Sequence, residues 1–243
     1  MFSFFNKKIQ PDLSFLGADM HSHLLPAIDD GLKNVEQSVT FIKELNALGY
    51  NKFICTPHIL SGVHNNTHDT ILPALEKVRN ALAAENVQVV VEAAAEYMID
   101  DFFEEMIRSN RPLLTLGGDK ILIEMSYAAP SPNLYEVIFA LQLKNLKPIF
   151  AHPERYEYYH SNFEQYYDIK NRDIFFQVNL LSLSGYYGKQ VKKIGERLIR
   201  EGMVEFIGTD MHHAEHLRAT KEFTSSKEFY DIVKDVPLLN KTL

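Results

Sequence analysis

The sequence predicts an α/β fold in which parallel strands curl toward a barrel, and three observations carry that expectation. Apolar runs of strand length alternate with amphipathic stretches of helix length, the pattern required by a parallel sheet with helices covering it. Histidines or carboxylates stand at the downstream ends of five such runs, the placement that makes groups converge at one end of a barrel. The chain of 243 residues, 46% hydrophobic, is long enough for a sizeable core, so one domain over residues 1–243 is expected.

Leu16-Gly17-Ala18-Asp19-Met20 opens the series and leads into His21-Ser22-His23. Between Val35 and Leu48, the residues Val35, Val39, Ile42, Leu45 and Leu48 recur at helical spacing and Gly49 supplies a stop. A strand ends at Thr56, a helical stretch runs around Ile71 to Ala84, and a strand is expected at Val87 to Val91. A short helix near Asp101 to Arg108 follows, then the run Ile121-Leu122-Ile123. Leu134 to Leu143 and Val191 to Ile199 read as helices before strands at Pro148 and Val204, with Phe175-Phe176-Gln177-Val178-Asn179 a strand between them. The count is about seven strand and helix units, close to the eight of an ordinary barrel.

Composition narrows the function. The net charge of -7 is spread along the chain with no long Lys and Arg block, so nucleic acid is not an expected partner. Cys55 is the only cysteine and forms no intrachain disulfide. The start Met1-Phe2-Ser3-Phe4-Phe5-Asn6-Lys7-Lys8 lacks the apolar core of a signal peptide, which leads to the expectation of a cytoplasmic protein without stable membrane insertion. Phe2, Phe4 and Phe5 are expected to pack against the barrel.

The polar ends of the runs point to metal chemistry. In a strand, residues i and i+2 face the same side, so His21 and His23 can grip one ion together. Asp29-Asp30-Gly31 is either a turn with a helix cap or the source of an oxygen ligand from either acid. Thr56-Pro57-His58 sets an imidazole after a strand, whereas His64 and His68 read as exposed loop residues. Glu96 and Glu124 end buried runs, where a carboxylate is costly unless it is paired or binds a cation. Glu92, inside its strand, has the weaker claim, and Asp119 sits in a turn beside Gly117 and Gly118.

Ala151-His152-Pro153-Glu154-Arg155 joins an imidazole to a guanidinium. Arg155 is either an anion clamp or a surface ion-pair partner of Glu154 or Glu157. Thr209-Asp210-Met211-His212 again places two ligand types at i and i+2, with Arg218 beyond. So many ligand-type ends in one chain indicate a multinuclear metal centre.

In this order the motifs resemble the polymerase and histidinol phosphatase (PHP) superfamily. The wording of His21-Ser22-His23-Leu24-Leu25-Pro26-Ala27-Ile28-Asp29-Asp30-Gly31, of Ala151-His152-Pro153-Glu154-Arg155 and of Thr209-Asp210-Met211-His212 looks like its bacterial tyrosine phosphatase branch. The resemblance runs from about Ala18 to Arg218. It implies a distorted seven-stranded (β/α)7 barrel and a manganese-dependent enzyme accompanying capsule and exopolysaccharide operons. It also implies three divalent ions. One would be held by His21, His23, Glu96 and Asp210, with Glu96 bridging to a second held also by Glu124 and His152. The third would take Asp30, rather than Asp29, with His58 and His212. Iron and zinc suit these ligand types as well.

The implied reaction is hydrolysis of phosphotyrosine, with the Tyr-rich tail of a bacterial tyrosine kinase as the expected partner. Clustered ions lower the pKa of a bound water from ~15.7 toward ~7, which makes hydroxide available as the attacking group. Arg155 and Arg218 are the candidate phosphate-binding residues. A small phosphate monoester such as histidinol phosphate is the alternative substrate, and a non-catalytic scaffold the alternative class. Tyr156, Tyr158, Tyr159, Tyr166, Tyr167, Tyr186 and Tyr187 are explained mostly by packing on helix faces.

Overall fold

The computed structural model describes residues 9–243, so the packing expected of Phe2, Phe4 and Phe5 lies outside the described residues. The strands are β1 (Ala18–Asp19), β2 (Lys52–Cys55), β3 (His58–Ile59), β4 (Val90–Ala93), β5 (Glu96–Met98), β6 (Lys120–Glu124), β7 (Lys147–Ala151), β8 (Phe175–Asn179) and β9 (Phe206–Gly208). The helices are α1 (Val35–Asn46), α2 (His68–Ala84), α3 (Asp101–Arg108), α4 (Leu134–Gln142), α5 (Glu164–Lys170), α6 (Leu180–Ser184), α7 (Lys189–Arg200), α8 (Ala214–Thr224) and α9 (Lys227–Val233).

Every strand pair is parallel, in a three-stranded sheet β1-β2-β4 and a six-stranded sheet β3-β5-β6-β7-β8-β9. Nine strand segments therefore stand where about seven were expected. The surplus arises at two breaks, Thr56-Pro57 between β2 and β3 and Ala94-Ala95 between β4 and β5. Proline has no N–H for a ladder, and the chain passes from one sheet to the other there. The far edges approach as well, since His21 O accepts from Asp210 N at 2.8 Å and Met211 O accepts from His23 N at 3.0 Å.

Local chemistry explains the element ends. Asn34 caps α1 by accepting from Gln37 N at 2.9 Å, and Val39, Ile42 and Leu45 form its buried stripe. Thr67 and Thr70 form a capping box that starts α2 at His68, so His68, expected in a loop, opens a helix with its ring exposed. The strand expected at Val87 begins at Val90, where Val90 N donates to Asn51 O and parallel pairing starts. Helices α5, α6, α8 and α9 are elements the periodicity does not single out. No helix among the described residues is long and apolar enough to cross a membrane.

Strand alternation sorts side chains into two clusters. Phe53, Cys55, Ile121, Ile123, Phe150, Phe176, Val178 and Ile207 join the large cluster beneath the helices. Ile54, Ala94, Leu122, Ile149, Ala151 and Phe206 form a smaller inner cluster with Leu239 and Leu243 from the C-terminal segment. The inner residues share a face with the site residues downstream of them, Leu122 with Glu124 and Ala94 with Glu96.

At the upstream end Asn240 is fully buried, donating to Ala18 O at 3.0 Å and Ile207 O at 2.7 Å and accepting from Ile207 N at 3.1 Å. Asp19, also fully buried, ties β1 to the end of β9 by accepting from Thr209 N at 3.0 Å and Thr209 Oγ1 at 2.6 Å. Burial pushes its carboxyl up to about 6, although both Thr209 bonds oppose the rise.

Candidate metal centre

Nine candidate ligands converge from the strands and from the loops that follow them. His21 and His23 extend the line of β1, Glu96 opens β5 and pairs in register with His58, and Glu124 closes β6. His152 follows β7 and Asp210 follows β9, both in left-handed backbone at φ 34° and 50°. Non-glycine residues hold that conformation only where the surroundings impose it, at about 1–3 kcal/mol. Here it turns the two side chains back over the sheet. Gly31 and Gly208 permit close approach: a Cβ at Gly31 would lie 2.3 Å from His23 O, and one at Gly208 would lie 2.6 Å from His21 Cβ.

His21 Nε2, His23 Nε2 and Glu96 Oε2 form one group, and Asp210 Oδ1 approaches both imidazoles. The two imidazole nitrogens are 3.4 Å apart, His21 Nε2 lies 3.1 Å from Glu96 and 3.4 Å from Asp210, and His23 Nε2 lies 3.4 Å from each carboxylate. Ligands about 2.1 Å from an ion in tetrahedral array stand about 3.4 Å apart, so the spacing of His21, His23 and Glu96 fits one shared cation. The buried Glu96 Oε2 has no hydrogen-bond partner despite three nearby imidazoles, and neither has the buried His152 Nδ1. Orphaned atoms of this kind in a buried cluster of imidazoles and carboxylates fit a set of cation ligands.

A second group unites Asp30, His58 and His212 with His23, Asp30 Oδ1 lying 3.6 Å from His58 Nε2 and 3.4 Å from His212 Nε2. The third joins Glu96 and Glu124 with His58, whose Nδ1 lies 3.2 Å from Glu96 Oε2 and 2.8 Å from Glu124 Oε1. His152 Nε2 lies 2.9 Å from Glu96 Oε1 but groups with His21 and Asp210 rather than with Glu124. The structure thus sets His58 between two groups, where the resemblance implied only one.

The two acids before Gly31 separate by geometry. Asp29 accepts from His23 Nδ1 at 2.7 Å and from Gly31 N at 2.9 Å, while Asp30 faces His58 and His212. Burial works against the Asp29 charge, but His23 and the Gly31 N–H outweigh it and hold the carboxyl at about 2. Burial likewise opposes the charges of Glu96 and Asp210, yet the imidazoles around them, with Arg155 beside Asp210, keep both well below the usual carboxylate range. Burial and the nearby His23 oppose a proton on His58, but Glu96 and Glu124 raise its pKa to about 9.

Several supporting residues went unmarked by the sequence reading. Gln177 Oε1 accepts from His21 Nδ1 at 2.7 Å, which leaves Nε2 bare toward the carboxylates, and Asp29 does the same for His23. Gln177 Nε2 donates to Asn179 Oδ1 at 2.8 Å, and Asn179 Nδ2 donates to Asp210 Oδ2 at 2.6 Å. The available signal was two amides at i and i+2 inside the apolar run of β8. His216, buried beneath His212, has its Nδ1 3.1 Å from Asp210 O, and burial with His213 pushes it down to about 4. His64, expected to be an exposed loop residue, is half-buried and stacks 5.5 Å from the His58 ring.

Arg155 reaches this centre and Arg218 does not. Arg155 Nη1 donates to Asp210 Oδ2 at 3.0 Å, and its Cζ lies 4.7 Å from the Tyr127 ring centroid and 4.2 Å from that of Tyr187. Arg218 lies on the exposed side of α8, bonded to Glu215 at 2.8 Å and 3.5 Å from Glu222, because its helix points it away from the cleft. Nor does Arg155 pair with Glu154 or Glu157. Glu154 is fully buried and accepts from Asn179 N at 2.9 Å and Ser182 Oγ at 2.6 Å. The cleft, about 290 Å³, is lined by Asp30, His58, His152, Arg155, Asp210 and His212 together with Tyr127 and Tyr187. Cys55 is fully buried and burial pushes its thiol up to about 12, so it carries no thiolate for nucleophilic attack.

Known proteins share this arrangement of elements. Tyrosine-protein phosphatase YwqE of Bacillus subtilis (strain 168) is 29% identical over 218 residues, 89% of this chain and 84% of its own. Tyrosine-protein phosphatase CpsB of Streptococcus agalactiae is 26% identical over 203 residues, covering 80% of this chain and 82% of its own. A structure from a study of YwqE from Bacillus subtilis and CpsB from Streptococcus pneumoniae, described as unique metal-dependent tyrosine phosphatases, aligns with a TM-score of 0.78 at 27% identity. That alignment covers 93% of this chain and 94% of the other. Histidinol phosphate phosphatase from Lactococcus lactis shares the fold at a TM-score of 0.53 and 16% identity, over 92% of this chain and 94% of its own. The family model described as capsular polysaccharide synthesis, CpsB/CapC, matches residues 17–231, from just before β1 into α9, and the chain belongs to that family.

Proposed function

We propose that this chain is a single-domain, cytoplasmic, metal-dependent protein tyrosine phosphatase whose substrate is the Tyr-rich tail of a bacterial tyrosine kinase. The observation that carries the reading is the convergence of four overlapping ligand groups, with Arg155 beside them, on one cleft. Taken as single strands across their breaks, β2 with β3 and β4 with β5 would bring the count to seven, in keeping with the distorted (β/α)7 barrel that the family resemblance implies.

Three divalent ions, manganese by family, fit the residues present. By the family resemblance His21, His23, Glu96 and Asp210 would hold the first, Glu96 with Glu124 and His152 the second, and Asp30, His58 and His212 the third, although here His152 groups with His21 and Asp210, and His58 also with Glu96 and Glu124. When bound, such ions activate a water near neutral pH and offset phosphoryl charge. Gln177 and Asp29 keep Nδ1 of His21 and His23 protonated, so both rings offer Nε2 to a cation. Arg155 presents its remaining N–H donors to the phosphoryl oxygens, where they are worth most as charge redistributes. Asp210 anchors the guanidinium through one of its N–H donors. A tyrosyl leaving group, with a phenol pKa near ~10, departs more readily than an alkoxide.

Turnover of a phosphotyrosine peptide against histidinol phosphate tests the substrate class. The peptide is expected to be hydrolysed faster, chelation to abolish the activity and manganese to restore it. Arg155→Ala is expected to retain the metal and lose ~10–1000-fold in kcat/KM. Wild-type turnover in that variant would reduce Arg155 to a structural residue.

A further inference from the structure

Arg155 is held by more than its bond to Asp210. Tyr127, from the loop after β6, and Tyr187, from the turn after α6, place their rings on the guanidinium at 4.7 and 4.2 Å. Each ring is braced in turn. Tyr127 stacks on His152 at 5.7 Å with 27° between planes, and the Tyr187 hydroxyl lies 3.3 Å from His216 Nε2.

We propose that Tyr127 and Tyr187 are positioning residues, an aromatic clamp that fixes the Arg155 guanidinium toward the cleft and leaves its N–H donors free for a phosphoryl group. This rests on the phosphatase reading for what Arg155 binds, and on the geometry for how it is held. The neighbouring acid cannot hold the guanidinium, because Glu154 is buried against Asn179 and Ser182. Asp210 alone would leave it free to swing about one hydrogen bond. An aromatic face attracts the cation without accepting an N–H in the plane of the fork, so two such faces restrict motion while using none of the donors. The clamp also separates two spaces. The cleft of about 290 Å³ and a neighbouring one of about 370 Å³ that reaches Glu157 and Val191 are both lined by Tyr127, Arg155 and Tyr187. With space on either side, the two rings pack on the guanidinium where it faces both clefts.

The test uses the full chain and four substitutions, Tyr127→Leu, Tyr127→Phe, Tyr187→Leu and Tyr187→Phe, with Met replacing Leu should a Leu variant not fold. Nitrogen relaxation of the Arg155 Nε–H, assigned by its loss in Arg155→Lys, reads the clamp directly. It is expected to be ordered in the wild type and both Phe variants and mobile in both Leu variants. Each Leu variant is expected to lose ~2–30-fold in affinity for inorganic phosphate and in kcat/KM for phosphotyrosine peptide. Metal content should be unchanged, and in an Arg155→Ala background the same substitutions should add no further loss. Wild-type order of the Arg155 Nε–H in the Leu variants, or losses that multiply in the Arg155→Ala background, would overturn the proposal. The relaxation experiment needs no substrate. A mobile guanidinium in the Leu variants of a chain that turns over no phosphotyrosine would thus remove the phosphatase reading while supporting the clamp.

Discussion

The two ends of the same strands are built on opposite principles. Downstream, the inner face carries buried imidazoles and carboxylates, two residues in left-handed backbone and buried polar atoms without partners. Upstream, the same face carries Ile54, Leu122, Ile149 and Phe206, sealed by Leu239 and Leu243 and by an Asn240 whose bonds satisfy three backbone groups. One end gathers groups suited to a cation, and the inner face of the other is apolar. Function and stability are therefore expected to separate along the strand axis, with the apolar end supporting the strain at the polar one.

The sharpest test is Glu96→Ala, because Glu96 touches the groups around His21, His58 and His152. It is expected to lower activity by ~100-fold or more and to remove more metal than His58→Ala does, measured by mass spectrometry of the bound metal. Unchanged stoichiometry would break the ligand assignment. At the other end, Asn240→Ala leaves Ala18 O and Ile207 N and O without their partner. A loss of ~2–4 kcal/mol in denaturant unfolding is expected, with metal content and kcat/KM per folded molecule unchanged. Loss of metal from the folded variant would show that the ends are coupled.

Smaller effects sharpen the same contrast. Cys55→Ala lies in the large outer cluster, so it should cost ~1–2 kcal/mol in a thermal melt and leave phosphatase activity in place. Chelator-resistant turnover that disappears with Cys55 would replace the metal chemistry by thiol chemistry. Asp119→Ala probes the exposed rim of the upstream end, where β6 and β7 begin. The Asp119 carboxyl lies 2.9 Å from Lys120 and 2.7 Å from Lys147, whose hydrogen bonds hold it at about 2. The folded pKa is depressed, so its stabilisation is present above about pH 4 and is lost as pH falls through about 2. Being an exposed pair, it should contribute under ~0.5 kcal/mol, read as the difference between wild-type and variant melts at pH 7 and pH 2.

The sequence by itself determined the parallel α/β alternation and the histidines and carboxylates that end its apolar runs, because both are local. Strand periodicity fixes which residues share a face, and a ligand type is visible in the residue itself. Only the tertiary structure decided between Arg155 and Arg218, since helical phase and the turn after β7, rather than spacing, direct each guanidinium. It likewise sent Asp29 to His23 and Asp30 outward to His58 and His212, a difference of one residue in a turn. Gln177, Asn179, Tyr127 and Tyr187 matter through neighbours that are far away in the chain, Gln177 through His21 at a separation of 156 residues. Such partnerships depend on which strand ends lie side by side, and that follows from closing the sheet rather than from any segment within it.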